Sequence, residues 1–289
     1  MSWRTVVVSN RCKLDLKLGY MVIRGEEIRK VFLDEIAVVM IENPTVSFTG
    51  CLLEALVEKK IRVILCGAKR LPVAELTPCY GSHDCSGKLR LQIDWTDHAK
   101  DAVWRKILGD KIQKQADHLA GTGHQKEALL LESYLPQIEY QDRTNREGHA
   151  AKVYFNALFG MVFTRTKEDP RNAALNYGYG ILLAAFSREI CANGYLTQLG
   201  VHHDNAGNCY NLSSDLMEPF RVLVDREVVQ MAPAQFGKEE RYRLVDVLNH
   251  TVSIADTEQT VLNAIKIYVR AALAALNSAD ADRILLYQL

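Results

Sequence analysis

Three side chains in the second half of the chain carry the chemistry its sequence offers: Glu147 in NREGHAAKVYF, His203 in LGVHHDN and Glu218 in SSDLMEPFR. Glu147 and His203 are 56 residues apart, and His203 and Glu218 are 15 apart, so the three meet only through folding. Two carboxylates and one imidazole make a hard, mostly oxygen ligand set, suited to Mg²⁺ or Mn²⁺ better than to a closed structural zinc site. A divalent ion held this way can polarise a phosphodiester and activate or orient an attacking hydroxyl. His202 competes with His203 for the imidazole role, and Asp215 lies on a neighbouring helical face as a supporting acid.

Each residue also has a plain structural role. Thr144-x-x-Glu147 matches a capping box, in which the Glu returns to the N–H of the cap. Asp215-x-x-Glu218 has similar spacing, and Pro219 would then sit in the first turn, where its missing N–H costs little. The two histidines read equally as loop or core residues. Pattern alone favours these structural roles. They are compatible with a metal site, since helix starts are rigid places to hold carboxylates. Arg221 would touch a phosphate near the ion or pair with Asp225 one turn on. Asn176, Tyr177 and Tyr179 in LNYGYG have packing as their plain reading.

The elements that must position these groups change character along the chain. Residues 3–8, 12–23, 28–41 and 61–66 are short Val, Ile and Leu-rich runs broken by turn signals at Arg24-Gly25-Glu26 and Glu42-Asn43-Pro44. Leu52, Leu53, Leu56 and Val57 recur at helical spacing and predict one short helix over residues 49–60. Residues 76–95, with Pro78, Gly81, Ser82, Ser86 and Gly87, are expected to link two domains. From about residue 96 the period is helical, beginning with Ala99, Val103, Ile107 and Leu108, and Gly194 after REICAN is a helix stop. The expected fold class is α+β: a strand-rich domain over 1–75, then an all-α domain over 96–289.

Composition sets wide bounds. The 289 residues suit about two domains, and 48% hydrophobic with 24% charged content is ordinary for a globular protein. The VVV run near the start passes at once into Ser9, Asn10 and Arg11, unlike a secretory signal, and IAVVMI is too short to span a bilayer, so a cytoplasmic location is expected. Seven cysteines (12, 51, 66, 79, 85, 191 and 209) without CxxC spacing favour neither disulfides nor a zinc ribbon. Cys79, His83 and Cys85 cluster in CYGSHDC without a familiar zinc spacing. Net charge is zero, so DNA contact would need local patches. Candidates are Lys59, Lys60 and Arg62; Arg105, Lys106, Lys111 and Lys114; and Arg165, Lys167 and Arg171, each of which also reads as a solvated face.

The words around the three residues add to this. NREGHAAKVYF, DPRNAALNYGYGIL, LGVHHDN and DLMEPFR, in that order, resemble the CRISPR-associated integrase-nuclease of spacer acquisition, the endonuclease family numbered one. MSWRTVVVSN, VFLDEIAVVMIENPTVSFTGCLLEAL and the YGSHD segment resemble its type II members, and the resemblance spans essentially the whole chain. It implies that Glu147, His203 and Glu218 bind the catalytic Mg²⁺ or Mn²⁺, with Glu218 standing where many members have Asp. It also implies a β-sandwich N-terminal domain that supports a homodimer, and a small CRISPR-associated partner dimer. The implied reaction joins the 3′-hydroxyl ends of captured DNA to a CRISPR repeat without ATP, consistent with the lack of a GxxxxGK phosphate-binding loop. The other readings are a non-catalytic DNA-holding scaffold and a structure-specific repair nuclease outside CRISPR.

Overall fold

The computed structural model describes residues 4–67, 72–76 and 84–289. The chain divides into two compact units: Met1–Cys85 with Arg188–Tyr195, and Ser86–Ser187 with Leu196–Leu289.

The first unit holds two four-stranded sheets. In one, β1 (Arg4–Val8), β5 (Ile36–Ile41) and β7 (Arg62–Cys66) run parallel, and β8 (Pro72–Leu76) pairs antiparallel with β7. Central β5 is the IAVVMI run and is buried along its whole length, as expected of a strand covered on both faces. The second sheet has the order β4 (Ile28–Phe32), β3 (Tyr20–Arg24), β2 (Lys13–Lys17), β6 (Ser47–Phe48). Its β2–β3 turn has Leu18 and Gly19 at φ 51° and 78°, the two-residue geometry that matches strand twist. Val8, Leu14, Met21, Ile36, Val39 and Val63 from the two sheets join Leu52 and Leu56 in one core. The two leucines come from α1 (Gly50–Glu58), which Thr49 caps by accepting from the Leu52 N–H. The strand-rich unit and the short helix agree with expectation.

The second unit is built around α3 (Asp97–Gly121), capped by Thr96 and packed against α4 (Gln125–Glu132), α5 (Arg146–Phe159), α8 (Arg221–Met231) and α10 (Val261–Ser278). Its buried side includes Trp104, Leu108, Lys111 and Gln115, spaced so that one face carries both apolar anchors and a cation. α6 (Pro170–Ala192) approaches α8 closely at Gly178, where a Cβ would lie 2.4 Å from Val224 Cγ1. The remaining helices are α7 (Asn211–Leu216) and α9 (Lys238–Asp246).

Two expectations need correction. The expected linker contains a helix, α2 (Cys85–Ile93). Leu91 and Ile93 are exposed, and Gln92 anchors the helix instead by donating to the Leu196 and Leu199 carbonyls at 2.8 and 3.1 Å. A helix whose buried residue is the polar Gln92 leaves little apolar period to read. The helical half also contains a hairpin, β9 (Thr251–Ile254) and β10 (Thr257–Thr260), whose buried Val252 and Ile254 alternate with exposed Thr251 and half-buried Ser253. Cys79 and His83 of the CYGSHDC cluster lie outside the described residues, and Cys85 opens α2. No helix among the described residues is long and apolar enough to cross a membrane.

Candidate metal centre

Glu147 sits in the first turn of α5, but the helix does not use it as a cap. Asn145, at φ 50°, is the cap and accepts from the Gly148 N–H at 3.3 Å. The Asp142 carboxylate accepts from the Arg146 and Glu147 N–H groups at 2.8 and 3.0 Å. Thr144 is not the cap: its hydroxyl donates to the Gln137 carbonyl at 2.9 Å. The first-turn donors are thus satisfied locally, and the Glu147 carboxylate reaches Lys111 Nζ at 2.8 Å.

Glu218 opens a short 3₁₀ turn, Glu218–Phe220, between α7 and α8. Pro219 fits there, and its carbonyl accepts from the Tyr287 hydroxyl at 2.9 Å. Phe220 is fully buried against Phe186, Tyr268 and Tyr287, which fixes the turn by packing. The Glu218 carboxylate meets Lys111 Nζ at 2.6 Å and Arg221 at 2.9 Å. One ammonium therefore joins two carboxylates from separate elements. Arg221 lies over the Tyr179 ring at 4.7 Å, while Asp225 accepts from the Tyr179 hydroxyl, so the simple Arg221–Asp225 pair does not form.

The two histidines separate in role. His202 stacks flat on buried Trp104, with ring centroids 4.3 Å apart and planes 2° from parallel. His203 instead bonds through Nδ1 to Asp215 Oδ1. Asp215 is fully buried and also accepts from the backbone N–H groups of Val201, His202 and His203 at 2.6, 2.9 and 3.2 Å. This arrangement fixes the loop and the imidazole while leaving Nε2 for another partner. Gly200 is needed for it, because a Cβ there would lie 2.2 Å from the His203 carbonyl oxygen and 2.8 Å from Asp215 Oδ2. A cavity of about 480 Å³ lies against this loop, lined in part by Lys100, Trp104, Gln141, His202 and His203.

Charge balance sets the protonation of the group. Burial opposes the charged form of Lys111, but Glu218 and Glu147 outweigh it and raise its pKa. Burial likewise works against the Glu218 carboxylate, yet Arg221 and Lys111 hold its pKa below the usual value. The hydrogen bond to Asp215 raises His203 against the opposing effect of burial, with further help from the charges of Asp215, Glu147 and Glu218. Opposite charges thus hold one another ionised at one place in the second unit.

Among the described residues, no three His, Cys, Asp or Glu side chains stand together as a ready ion-binding cluster. At Glu147 and Glu218 a cation is already present: the Lys111 ammonium, a stand-in ion between hard oxygen donors. By that criterion the two carboxylates fit Mg²⁺ or Mn²⁺ as hard oxygen donors.

Of the four basic residues expected to form a patch along α3, Arg105 and Lys106 stay at the surface and Lys111 and Lys114 do not. Arg105 pairs with Asp101 and Lys106 with Asp282, each at 2.8 Å. Lys111 and Lys114 turn inward, 7% and 5% exposed, the latter onto Asp110. Arg165 donates to Asn172 and Asn176 at 2.8 and 2.6 Å. A charged residue at the spacing of Trp104 and Leu108 was the available sign that Lys111 faces inward. The supporting roles of Trp104 and Asp142, by contrast, had no distinctive spacing in the sequence.

The family profile described as CRISPR associated protein Cas1 matches residues 5–264. A Neisseria meningitidis protein named CRISPR-associated endonuclease Cas1 is 33% identical over 98% of this chain and 95% of its own length. One of the same kind from Pyrobaculum aerophilum is 26% identical over 78% of this chain and 82% of its own. Among solved structures, a Cas1 protein from Thermotoga maritima shares the fold at TM-score 0.73 and 15% identity, covering 94% and 97% of the two chains. A casposase bound to integration product aligns at TM-score 0.78 and 19% identity, covering 96% and 91%. Matched through most of its length, the chain belongs to the CRISPR associated protein Cas1 family.

Proposed function

We propose that this protein is a divalent-metal-dependent DNA integrase and endonuclease of CRISPR adaptation, with Glu147, His203 and Glu218 as its ion ligands. The observation that carries this reading is the meeting of Glu147 and Glu218 on one buried cation, in a member of the Cas1 family. The names of its relatives support nuclease chemistry, and the fold it shares with a casposase bound to integration product agrees with strand transfer. A related fold occurs within a Cas6-RT-Cas1–Cas2 complex, which supports a small Cas2-type partner; a homodimer working beside a dimer of that partner is part of the same proposal.

In strand transfer, the 3′-hydroxyl oxygen of a captured fragment attacks phosphorus at the border of a repeat. A new P–O bond forms as the bond to the leaving 3′-oxygen breaks, so one phosphodiester replaces another. When bound, Mg²⁺ or Mn²⁺ would act as a Lewis acid toward the phosphoryl oxygens and stabilise the leaving oxygen. Glu147 and Glu218 supply its hard ligands, and Asp215 orients His203 to present Nε2. Arg221, fixed by Glu218 and the Tyr179 ring, adds positive charge beside the reacting phosphate. With water in place of the 3′-hydroxyl, the same groups cut DNA.

Incubating the protein alone with a branched DNA tests the reading. Cleavage with Mn²⁺ that stops with chelator supports it. A protein that binds the DNA tightly but leaves it intact under every divalent ion would instead be a scaffold.

A further inference from the structure

Lys111 is an unusual occupant for the place it holds. It lies on the buried side of α3, and its Nζ sits 2.8 Å from Glu147 Oε1 and 2.6 Å from Glu218 Oε2. Side-chain exposure is 9% for Lys111 and 3% for Glu218, so water does little to screen this group. With Arg221 on the other oxygen of Glu218, two positive charges balance two negative ones. We infer that Lys111 is a displaceable internal counter-ion, which keeps the carboxylates charged and apart until a divalent ion takes its place. This inference rests on the assignment of Glu147 and Glu218 as ligands.

Space and charge both support exchange over joint occupancy. A divalent ion bound by these carboxylates sits at about 2.1 Å from oxygen, in the volume the ammonium now fills. Keeping Lys111, Arg221 and the ion together would leave excess positive charge in a poorly screened place, which is strongly unfavourable. Of the two cations, Lys111 is built to leave. Its ammonium is a compact, strongly hydrated charge on a flexible stem, whereas a guanidinium is a fixed planar fork, and Arg221 is held further by the Tyr179 ring. A static ion pair would require the ion to bind elsewhere or not at all.

The exchange makes a prediction opposite to that for a residue that builds the metal site. Lys111→Met removes the competing cation and leaves the carboxylates in mutual repulsion when no ion is bound. Calorimetric titration with Mn²⁺ alone should then show affinity raised by about tenfold or more over the wild type. In chelator the variant should melt below the wild type, and Mn²⁺ should raise its melting temperature by more. Unchanged or weaker Mn²⁺ affinity in a Lys111→Met protein that melts cooperatively overturns the inference. Glu218→Gln is the control: if it keeps the wild-type Mn²⁺ affinity, the ligand assignment beneath the inference fails. Should Lys111→Met not fold, wild-type protein with ¹⁵N-labelled lysine answers the question. The protected Lys111 ammonium signal, assigned with Lys111→Arg, should shift or vanish on adding Mg²⁺. A signal unmoved while Mg²⁺ saturates a Glu218-dependent site overturns the exchange.

Discussion

The carboxylate of Asp215 gathers three backbone N–H groups and the Nδ1 of His203 from a single loop, and it does so with no exposure to water. Adjacent imidazoles are thereby given different tasks: His203 is aimed and His202 is packed on Trp104. His203→Ala should lower strand transfer by about 100-fold or more, the scale expected when a catalytic group is lost. His202→Ala should keep most of the activity but cost about 1 kcal/mol of stability through the lost stacking. Single-turnover strand transfer and thermal melts of both variants check this, and the reverse order of activities would assign the ligand to His202. Asp215→Asn should weaken Mn²⁺ binding by about 10- to 100-fold, as loss of a ligand's orienting partner commonly does. Neither the stacking nor the orienting bond was legible in the HH pair. Both depend on partners about 100 residues upstream or a dozen downstream, which only folding brings near.

Helices α3, α5, α6 and α8 are joined by a polar chain of buried side chains. The Tyr154 hydroxyl is 2.7 Å from His118 Nδ1 and also bonds Asp225, which accepts from Tyr179 as well. Burial drives His118 down to about 4, whereas it drives Asp225 up to about 6 against the Tyr179 and Tyr154 hydrogen bonds. The two act oppositely in the same window. Between pH 6 and 4 the folded Asp225 takes up a proton that the unfolded chain lacks, so its contribution to stability grows as pH falls. Over the same range the unfolded His118 is protonated and the folded one is not, so its contribution shrinks. His118→Gln removes only the second effect. The variant should therefore gain stability relative to the wild type on acidification from pH 6 to 4, by on the order of 2 kcal/mol. Denaturant unfolding across that range measures it, and a constant difference would contradict the assignment. At this scale the helical period made α3 and its neighbours legible, and the Val, Ile and Leu runs did the same for the sheets. Helix α2 was hidden because it docks through Gln92, and β9–β10 because four-residue strands are a weak signal within helical surroundings.

As a whole molecule, the chain carries zero net charge, and two of the cations expected to face DNA are buried with acids. Charge reversal at Arg105 and Lys106 should weaken DNA binding with little sequence dependence and reduce its salt dependence, because phosphate contacts release counterions. Reversal at Lys111 or Lys114 should unfold the protein first, since it leaves buried carboxylates facing a new negative charge. Binding isotherms at several salt concentrations and melts of each variant separate the two classes. The proposed triad rests in the sequence on the ordered motifs around it, since spacing favoured helix caps. The caps prove to be Asn145 and Asp142, which leave the Glu147 carboxylate to reach Lys111. The most direct test is strand transfer of a DNA fragment with free 3′ ends into a repeat, with the small partner present. Glu147→Ala and Glu218→Ala should each abolish joined product; since each also takes a carboxylate from the buried Lys111 ammonium, melts and DNA-binding isotherms of the same preparations identify the folded protein on which the comparison is made. Near-wild-type integration by either folded variant would contradict the account.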